Sequence, residues 1–294
     1  MGLLDHKVVI VTGAGHGLGR RYAELFAAEG ASVVVNDLGV AVDGSDLGAS
    51  AAEQVAEAIR ADGGKAVANT ADVADTDAAA TLLDDALTHF GRVDALVNNA
   101  GIVRDRPFAE MSDAEWDSVL RVHLTGTKNA TQPVFRHMTT HGGGVIVNTT
   151  SRTGLRGKLG QANYGAAKAG LVGFSNVLAL EGAPHGIRVW TISPRAATRA
   201  WSIGVTSAGV LTPELERRFT VDAVAATALY MVSDLSAPHT GKVVFASAEN
   251  VREVRWEAAP AFTPGPDTTA ADLAAAIERG ELLFPDDADR DRIS

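Results

Sequence analysis

Short apolar runs alternate with longer segments in which apolar residues recur at helical spacing along most of the chain. The short runs predict buried strands, and their alternation with helices is typical of a parallel sheet covered on both faces. The predicted strands are Lys7–Thr12, Ser32–Asn36, Ala66–Thr70, Ala95–Asn98, Val145–Thr149, Ile187–Ile192 and Lys242–Ser247. The predicted helices are Gly17–Glu29, Ala49–Asp62, Thr76–Phe90, Asp113–Thr140, Asn163–Glu181 and Val221–Ser233. We therefore expect an α/β fold with a doubly wound sheet.

Residues 1–248 are predicted to form one domain, because no internal repeat or linker divides them. Leu38–Ala49 is expected to be a loop at the ligand-binding edge of the sheet, and the irregular stretch Ala200–Thr220 is where a segment that covers the ligand is expected. From residue 249 the composition changes to Pro, Asp and Ala, with one short helix near Thr269–Arg279. Residues 249–294 are thus predicted to be a C-terminal extension, either a subunit-packing arm or a loosely held terminus.

Composition and charge exclude several classes of function. The chain has 294 residues, of which 46% are hydrophobic, enough to bury one large core. Its formal net charge of −10 would repel phosphates, so we expect neither a nucleic acid nor a membrane as partner. It has no cysteine, and its 8 histidines lack ligand spacing, so no metal site is predicted. The N-terminal residues form neither a signal peptide nor a membrane span, so the expected location is the cytoplasm.

A glycine-rich turn, Thr12–Gly19, joins the first predicted strand to the first predicted helix. Glycine has no Cβ, so the backbone N–H groups of such a turn can approach a pyrophosphate closely. The N-terminus of the following helix adds a partial positive charge. An ordinary glycine-rich turn is the alternative, but this strand–turn–helix context favours the dinucleotide-binding start of a Rossmann fold. The candidate cofactor-binding residues here are Gly13, Gly15, His16, Gly17, Leu18 and Gly19.

Asp37 follows the second predicted strand, where a carboxylate hydrogen-bonds the adenosine ribose of NAD and repels the 2′-phosphate of NADP. No Arg or Lys lies between Asn36 and Arg60 to neutralise that phosphate, so NAD is the expected cofactor. Asp72 and Val73, after the third predicted strand, suit a contact with the adenine ring. Asp72 could equally cap the next helix.

Tyr164 and Lys168 are four residues apart and therefore share one face of a predicted helix. A pair with this spacing often arises by chance on a protein surface. Ser151 changes that interpretation, because it ends a predicted strand and its hydroxyl can meet a helix face that packs beside it. The three residues are the candidate catalytic group.

The order of these motifs, with Asn98–Gly101 between them, resembles the short-chain dehydrogenase/reductase superfamily over roughly residues 5–248. The resemblance implies seven parallel strands in the order 3-2-1-4-5-6-7 and hydride transfer between a secondary alcohol and a nicotinamide. It implies that Tyr164 transfers the proton, that Ser151 donates to the substrate oxygen and that Lys168 holds the nicotinamide ribose. The further cofactor contacts that it implies are Asn99, Ala100, Gly101, Tyr164, Lys168, Pro194 and Thr198.

The proposed base needs an altered environment. A free phenol has a pKa of about 10, too high for a base at neutral pH. The ammonium of Lys168 and the positive charge of oxidised nicotinamide would both favour the phenolate. Lowering the pKa of Tyr164 by about 3 units requires roughly 4 kcal/mol.

Three segments depart from the superfamily pattern. His123 stands where an Asn usually holds a water that links the lysine to solvent. Its imidazole, which titrates near neutrality, could hold that water or could simply pack in the helix with its ring bonded to backbone. Ser193–Thr198 lacks the usual glycine after the proline and carries Arg195 instead, and Ala246–Asn250 replaces the usual Asp-Gly-Gly.

Other segments resemble one branch of the superfamily, the (3R)-hydroxyacyl-CoA dehydrogenase domain of peroxisomal multifunctional enzyme type 2 and its stand-alone bacterial relatives. This domain is also called 17β-hydroxysteroid dehydrogenase type 4. The segments are Asn36–Gly39, Gly64–Asn69, Asn98–Arg106, Arg121–Leu124, Gly160–Tyr164 and Val254–Glu257. The resemblance implies a 3-hydroxyacyl-CoA or hydroxysteroid substrate. The candidate substrate contacts are Ser151, Arg152, Leu155, Leu159 and Trp201.

The residues themselves leave the substrate open. CoA would use basic side chains at the mouth, among Arg104, Arg106, Arg152, Arg156 and Lys158, whereas a steroid or terpene would use apolar ones. A broad-specificity carbonyl reductase or alcohol dehydrogenase is one alternative function. A non-catalytic NAD-binding sensor is another, disfavoured by the intact catalytic group. A metal-dependent alcohol dehydrogenase is excluded by the missing cysteines.

A homodimer or homotetramer is expected, because related enzymes pair their fourth and fifth helices across a two-fold axis. The long segments Asp113–Thr140 and Asn163–Glu181 are suited to that packing.

Overall fold

The computed structural model describes residues 2–39, 50–198, 212–258 and 261–281. The chain divides into two compact units, Met1–Glu253 and Val254–Ser294. The predicted division into a domain and an extension at residue 249 stays a prediction. Trp201 and most of Leu38–Ala49 and Ala200–Thr220 lie outside the described residues.

The first unit is built on one sheet with the spatial strand order β3-β2-β1-β4-β5-β6-β7-β8. All neighbouring strands from β3 to β7 are parallel. The strands are β1 Val8–Thr12, β2 Ser32–Asn36, β3 Lys65–Asn69, β4 Ala95–Asn98, β5 Gly144–Thr149, β6 Ile187–Arg195, β7 Lys242–Ser247 and β8 Val251–Val254. The predicted fold class and the order of the first seven strands are confirmed.

The predicted count of seven strands is wrong, because β8 adds an eighth. Its four residues, Val-Arg-Glu-Val, are alternately exposed and half-buried, so they form no apolar run that would reveal a strand. Three residues separate β7 from β8, too few for a parallel crossover, so β8 must run antiparallel to β7. Strand β6 is also longer than predicted, since its pairing with β7 continues to Arg195 opposite Ser247.

Helices cover both faces of the sheet. The helices of the described residues are α1 Gly17–Ala28, α2 Ser50–Ala61, α3 Thr76–Phe90, α4 Asp113–Leu120, α5 Gly126–Met138, α6 Arg152–Arg156, α7 Ala162–Gly182, α8 Pro213–Arg218, α9 Val221–Val232 and, in the second unit, α10 Ala270–Glu278. Successive side chains of each buried strand point to opposite faces of the sheet, because the side-chain period of a strand is two. Val9 and Val11 pack with α1, α2 and α9, whereas Val8 and Ile10 pack with α3, α5 and α7.

The predicted helix Asp113–Thr140 is interrupted. A π-helical turn, Arg121–Thr125, separates α4 from α5 and contains His123. Such turns insert an extra residue into a helix and often occur at functional sites. Helical spacing of apolar residues continues through the turn, which is why the sequence pattern does not show it.

The outward face of α7 is apolar as well as its buried face. Its exposed positions include Ala166, Ala169, Gly173, Val177 and Leu180, which follow one another at three- and four-residue spacing. This stripe lies on one of the two helices expected to pair between subunits, and the pairing itself stays a prediction. No helix in the described ranges has both the length and the apolar character needed to cross a bilayer.

Candidate active site

A cleft of about 580 Å³ lies where the carboxyl ends of the parallel strands meet. Ligands of doubly wound folds bind at this edge, and small-molecule sites usually measure about 300–1,000 Å³. The predicted site residues that line it are Gly13, His16, Gly17, Leu18, Asp37, Asp72, Val73, Asn99, Ala100, Gly101, His123, Ser151, Arg152, Tyr164, Lys168, Pro194 and Thr198. Four other predicted residues, Gly15, Gly19, Leu155 and Leu159, are not part of the described lining.

The glycine-rich turn after β1 packs against the segment that follows β4. Gly13 has a φ of +63°, and a Cβ there would lie 2.7 Å from Ala100 Cα, so only glycine fits. Gly19 lies beneath the turn, where a Cβ would overlap the Gly13 carbonyl. Asn99 Nδ2 donates to the carbonyls of Thr12 (3.2 Å) and Gly13 (3.1 Å). The turn is thereby fixed beside the N-terminus of α1, as pyrophosphate binding requires.

Asp37 is held at the edge of the cleft by two backbone hydrogen bonds. Its carboxylate accepts from the N–H of Gly15 (2.8 Å) and from the N–H of Gly39 (2.8 Å). Gly15 therefore faces Asp37, and this contact explains why Gly15 is not among the residues that line the cleft. Each carboxylate oxygen keeps a further lone pair, which a ribose hydroxyl can use.

Asp72 and Val73 line the neighbouring wall. Asp72 Oδ1 accepts from the N–H of Ala74 (2.8 Å) and closes a turn. The N-cap of α3 is Asp75, not Asp72, because the Asp75 carboxylate accepts from two N–H groups of the first helical turn. Asn129 of α5 donates to the Val73 carbonyl (3.0 Å) and thereby fixes the position of this wall of the cleft.

Ser151, Tyr164 and Lys168 meet in the cleft, as the sequence predicted. Ser151 is the N-cap of α6, where its hydroxyl accepts from the N–H of Thr153 (3.2 Å), and it lines the cleft together with Tyr164. Lys168 is one turn along α7 from Tyr164, with Nζ 5.6 Å from the centre of the phenol ring. The same ammonium donates to the Thr149 carbonyl at 2.6 Å, which fixes it at the end of β5.

Burial sets the proton affinities of this group. It raises the pKa of Tyr164 to about 12, although the hydrogen bond with Ser151 opposes the shift. It also lowers the pKa of Lys168 to about 7. The phenol of the protein alone is therefore neutral at physiological pH. A further positive charge in the cleft would favour its deprotonation.

His123 is 3% exposed and packs edge-on against the Tyr164 ring, with 5.1 Å between ring centroids. Its Nε2 is 2.8 Å from the Ile102 carbonyl and 3.2 Å from the Ile102 N–H. The two bonds are mutually exclusive, and the shorter one places the proton on Nε2. Nδ1 is then a buried acceptor that has no partner within the described structure. Gly101 makes room for the ring, since a Cβ there would overlap Cε1.

The His123 ring does not titrate near neutrality, contrary to our expectation. Burial and the nearby ammonium of Lys168 lower the pKa of His123 to about 3. The ring is thus a neutral acceptor at any ordinary assay pH. Its Nδ1 can hold a water by hydrogen bonding, as the amide oxygen of an Asn would.

Replacing His123 with Asn is expected to leave the shape of the pH–rate profile unchanged from about pH 6 to about pH 9, because neither side chain titrates there. The rate should stay within about tenfold of the unaltered enzyme, since one neutral acceptor replaces another. His137→Asn, in the last turn of α5 and outside the cleft lining, is the control. A displaced profile in the His123 variant alone would show that the imidazole exchanges protons during turnover.

A chain of hydrogen-bonded polar side chains beside the candidate catalytic group was not predicted. Thr153 Oγ1 donates to Gln161 Oε1 (2.9 Å), and Gln161 Nε2 donates to Asp105 Oδ2 (2.7 Å). Thr153 and Gln161 line the cleft. The only signal in the sequence was the Gly160–Tyr164 segment, which contains Gln161.

The residues present fit a dinucleotide. The fixed glycine turn suits its pyrophosphate, and Asp37 suits its adenosine ribose. Two buried polar atoms of the lining, His123 Nδ1 and Thr149 Oγ1, have no hydrogen-bond partner among the described residues, so they remain available to a ligand or water. In the same residues, no group of three or more His, Cys, Asp or Glu is placed to hold a metal ion.

Comparison with known proteins gives the family. The short chain dehydrogenase family matches residues 7–200. A short-chain type dehydrogenase/reductase of Mycobacterium tuberculosis is 45% identical over 241 residues, which is 82% of each chain. Mouse peroxisomal multifunctional enzyme type 2 is 43% identical over 253 residues, 86% of this chain but 33% of that enzyme.

A further M. tuberculosis relative is (5R,7aS)-5-hydroxy-7a-methyl-1-oxo-2,3,5,6,7,7a-hexahydro-1H-indene-carboxyl-CoA reductase. It is 38% identical over 257 residues, 85% of this chain and 95% of that enzyme.

Solved structures of short-chain dehydrogenases also superpose on this chain. A short chain dehydrogenase from Mycobacterium avium superposes with a TM-score of 0.83 at 39% identity, covering 97% of this chain and 98% of that one. A 7α-hydroxysteroid dehydrogenase in complex with NADH and 7-oxo glycochenodeoxycholic acid superposes with a TM-score of 0.72 at 31% identity, covering 83% and 94%. The chain therefore belongs to the short-chain dehydrogenase family, whose members are oxidoreductases that bind a nicotinamide cofactor.

Proposed function

We propose that this enzyme interconverts the secondary alcohol of 3-hydroxyacyl-CoA thioesters and the corresponding ketone, with NAD as its cofactor. The observation that carries the proposal is the meeting of Ser151, Tyr164 and Lys168 in the cleft that also contains the glycine turn. Two likenesses support the substrate class. One is the resemblance to the (3R)-hydroxyacyl-CoA dehydrogenase branch, and the other is a relative named as a reductase of a CoA thioester.

In the oxidation, the Tyr164 phenolate accepts the hydroxyl proton of the substrate. Ser151 donates a hydrogen bond to the substrate oxygen, and the ammonium of Lys168 stabilises the phenolate. A bound nicotinamide would supply the other half of the chemistry, as the acceptor of the hydride that leaves the carbinol carbon. In the reduction, Tyr164 returns the proton to the developing alkoxide. A water on His123 Nδ1 would connect this group to solvent.

The preference for NAD rests on the charge of Asp37. The unaltered enzyme should use NAD at least about tenfold better than NADP, because the carboxylate repels the 2′-phosphate. Asp37→Ser removes the charge and keeps a hydroxyl, so it should lower this discrimination about tenfold or more. The measurement is kcat/KM with each cofactor. Asp72→Ser, which removes another cleft carboxylate, should leave the ratio unchanged. Equal or better use of NADP by the unaltered enzyme would contradict the proposal.

The basic residues of the cleft suit a CoA thioester. Arg152 and Lys158 line it near α6, where they could meet CoA phosphates. Arg106 is instead paired with Glu115 at 3.1 Å. Leu159, next to Lys158, is 98% exposed, so its predicted substrate contact could only be made at the mouth.

A hydroxysteroid is the second candidate substrate. The structural likeness to a 7α-hydroxysteroid dehydrogenase with a bound bile acid favours it. Arg152 and Lys158 would then face solvent, whereas an exposed apolar side chain such as Leu159 would meet the ring system.

Formation of NADH against matched panels of substrates separates these functions. The panels are (3R)- and (3S)-hydroxyacyl-CoAs, hydroxysteroids and small secondary alcohols, including terpene alcohols. A higher kcat/KM for one hydroxyacyl-CoA epimer is the expected result. Higher values for a steroid or a terpene alcohol would overturn the substrate class. Tight NAD binding without oxidation of any panel would indicate a sensor.

A further inference from the structure

Two of the departures from the superfamily pattern meet in the structure. Arg195, which replaces the usual glycine after Pro194, ends β6 opposite Ser247 of β7. Glu249 lies in the segment that replaces the usual Asp-Gly-Gly, immediately beyond β7. Nη1 of Arg195 is 3.3 Å from Glu249 Oε2, so the two unusual residues form an ion pair.

A second arginine shares this carboxylate. Arg218 Nη2 is 3.2 Å from Glu249 Oε1, so each oxygen serves one arginine. Both guanidinium groups also lie over the ring of Phe219, at 4.5 Å for Arg195 and 5.1 Å for Arg218. The ring is only 2% exposed and provides a fixed platform. One carboxylate against two guanidinium groups leaves one net positive charge in this cluster.

Of the two arginines, Arg195 belongs to the cleft lining. Its side chain is 27% exposed, against 65% for Arg218. Thr198, three residues further along the same wall, has its methyl group 3.6 Å from where a Gly17 Cβ would be. Arg195 therefore ends the strand whose continuation reaches the glycine-rich turn. Within the described part of the chain, the guanidinium group of Arg195 makes one hydrogen bond, the bond to Glu249.

The other cations of the cleft are placed elsewhere. Those in the described lining are Arg152 and Lys158 near α6, and Lys168, which is bound to the Thr149 carbonyl. The glycine-rich turn itself contains no Lys or Arg. A nucleotide pyrophosphate is repelled by a chain with a net charge of −10, so a local cation adds to its binding.

We propose that Arg195 binds a phosphate group of a nucleotide in this cleft, with Glu249 setting how much of its charge is available. The proposal rests on the proposed cofactor and substrate, since both NAD and CoA carry a pyrophosphate. The connection to Gly17 through Thr198 favours the pyrophosphate of the dinucleotide.

Calorimetric titration with ADP-ribose tests the proposal without turnover, because this probe carries the pyrophosphate but no nicotinamide. Arg195→Gln should weaken its binding about tenfold. Glu249→Gln removes the negative charge and keeps one carbonyl oxygen, which can still accept from one arginine, so it should strengthen binding about threefold. Adenosine, which has no phosphate, should bind all three proteins equally. Opposite signs distinguish a phosphate contact from a purely structural clamp, whose loss would weaken binding in both variants.

The control variant is Arg217→Gln, which removes the same charge from an exposed neighbour whose Nε donates to the Pro213 carbonyl. It should bind ADP-ribose like the unaltered protein. A second titration, CoA into the NADH-saturated protein, identifies the source of the phosphate. A tenfold loss for CoA alone in Arg195→Gln would assign the contact to the substrate. Unchanged binding of both probes, or weaker ADP-ribose binding in Glu249→Gln, would overturn the proposal. Failure of the unaltered protein to bind ADP-ribose would instead refute the proposed cofactor.

Discussion

Tyr164→Phe is expected to lower kcat about 10⁴-fold while the dissociation constant for NADH changes less than about twofold. The reason is that the hydroxyl transfers the proton in the proposed mechanism, whereas the ring contributes packing that Phe retains. The ring lies against His123 and Lys168, and the variant changes neither contact. Single-turnover rates together with NADH titration by fluorescence measure the two quantities separately.

Tyr230→Phe is the matched control. Tyr230 lies on α9, is 36% exposed, and meets the ring of Trp190 rather than the cleft. Its loss of a hydroxyl should change neither rate nor affinity. Retention of more than about a tenth of the activity in Tyr164→Phe would mean that another group transfers the proton.

Lys168→Met has the second largest expected effect, and it acts in opposite directions on activity and stability. We expect kcat/KM to fall about 10³-fold, because the phenolate of Tyr164 loses the ammonium that stabilises it. We also expect a higher melting temperature near pH 7. Burial lowers the pKa of Lys168 from 10.5 to about 7, which means that the folded protein disfavours the charged form. Loss of the bond to the Thr149 carbonyl costs about 1 kcal/mol and opposes the gain.

The pH dependence of stability identifies the cause. The unfolded chain holds the lysine proton up to about pH 10.5, whereas the folded protein releases it near pH 7. The buried charge therefore lowers the free energy of unfolding by its full amount below pH 7. This penalty shrinks as the pH rises from 7 towards 10.5. The melting advantage of Lys168→Met should shrink over the same window. Lys65→Met, at the exposed start of β3, should show neither effect. A lower melting temperature for Lys168→Met at pH 7 would show that the ammonium stabilises the fold.

The hydrophobic pattern and the residue spacing of the sequence were sufficient to predict strands β1 to β7 and the residues at the centre of the candidate site. Each buried strand shows a short apolar run, and the helix period places Tyr164 and Lys168 on one face. Ser151 could be added because strands of a parallel sheet end at one edge. The glycine turn could be identified because its strand and helix neighbours are strongly patterned.

Features that depend on distant contacts could not be predicted. Asp105 and Gln161 are 56 positions apart, and Arg195 and Glu249 are 54 positions apart, so no local pattern links either pair. Strand β8 depends on its neighbour β7 rather than on apolar residues of its own. Burial of charge is another property of the whole fold, which is why the lowered pKa of His123 differs from our expectation.

The contact between Gly101 and His123 restricts how this site can evolve or be redesigned. The imidazole occupies the volume that any side chain at position 101 would need, so position 101 must stay glycine as long as position 123 is histidine. Transplanting the histidine into a relative that carries alanine at the equivalent of Gly101 should fail unless that alanine becomes glycine. Conversely, a smaller residue at position 123 would release position 101 to larger side chains. The order of mutation is therefore fixed, because alanine can be introduced at position 101 only after the His123 ring has been replaced by a smaller side chain.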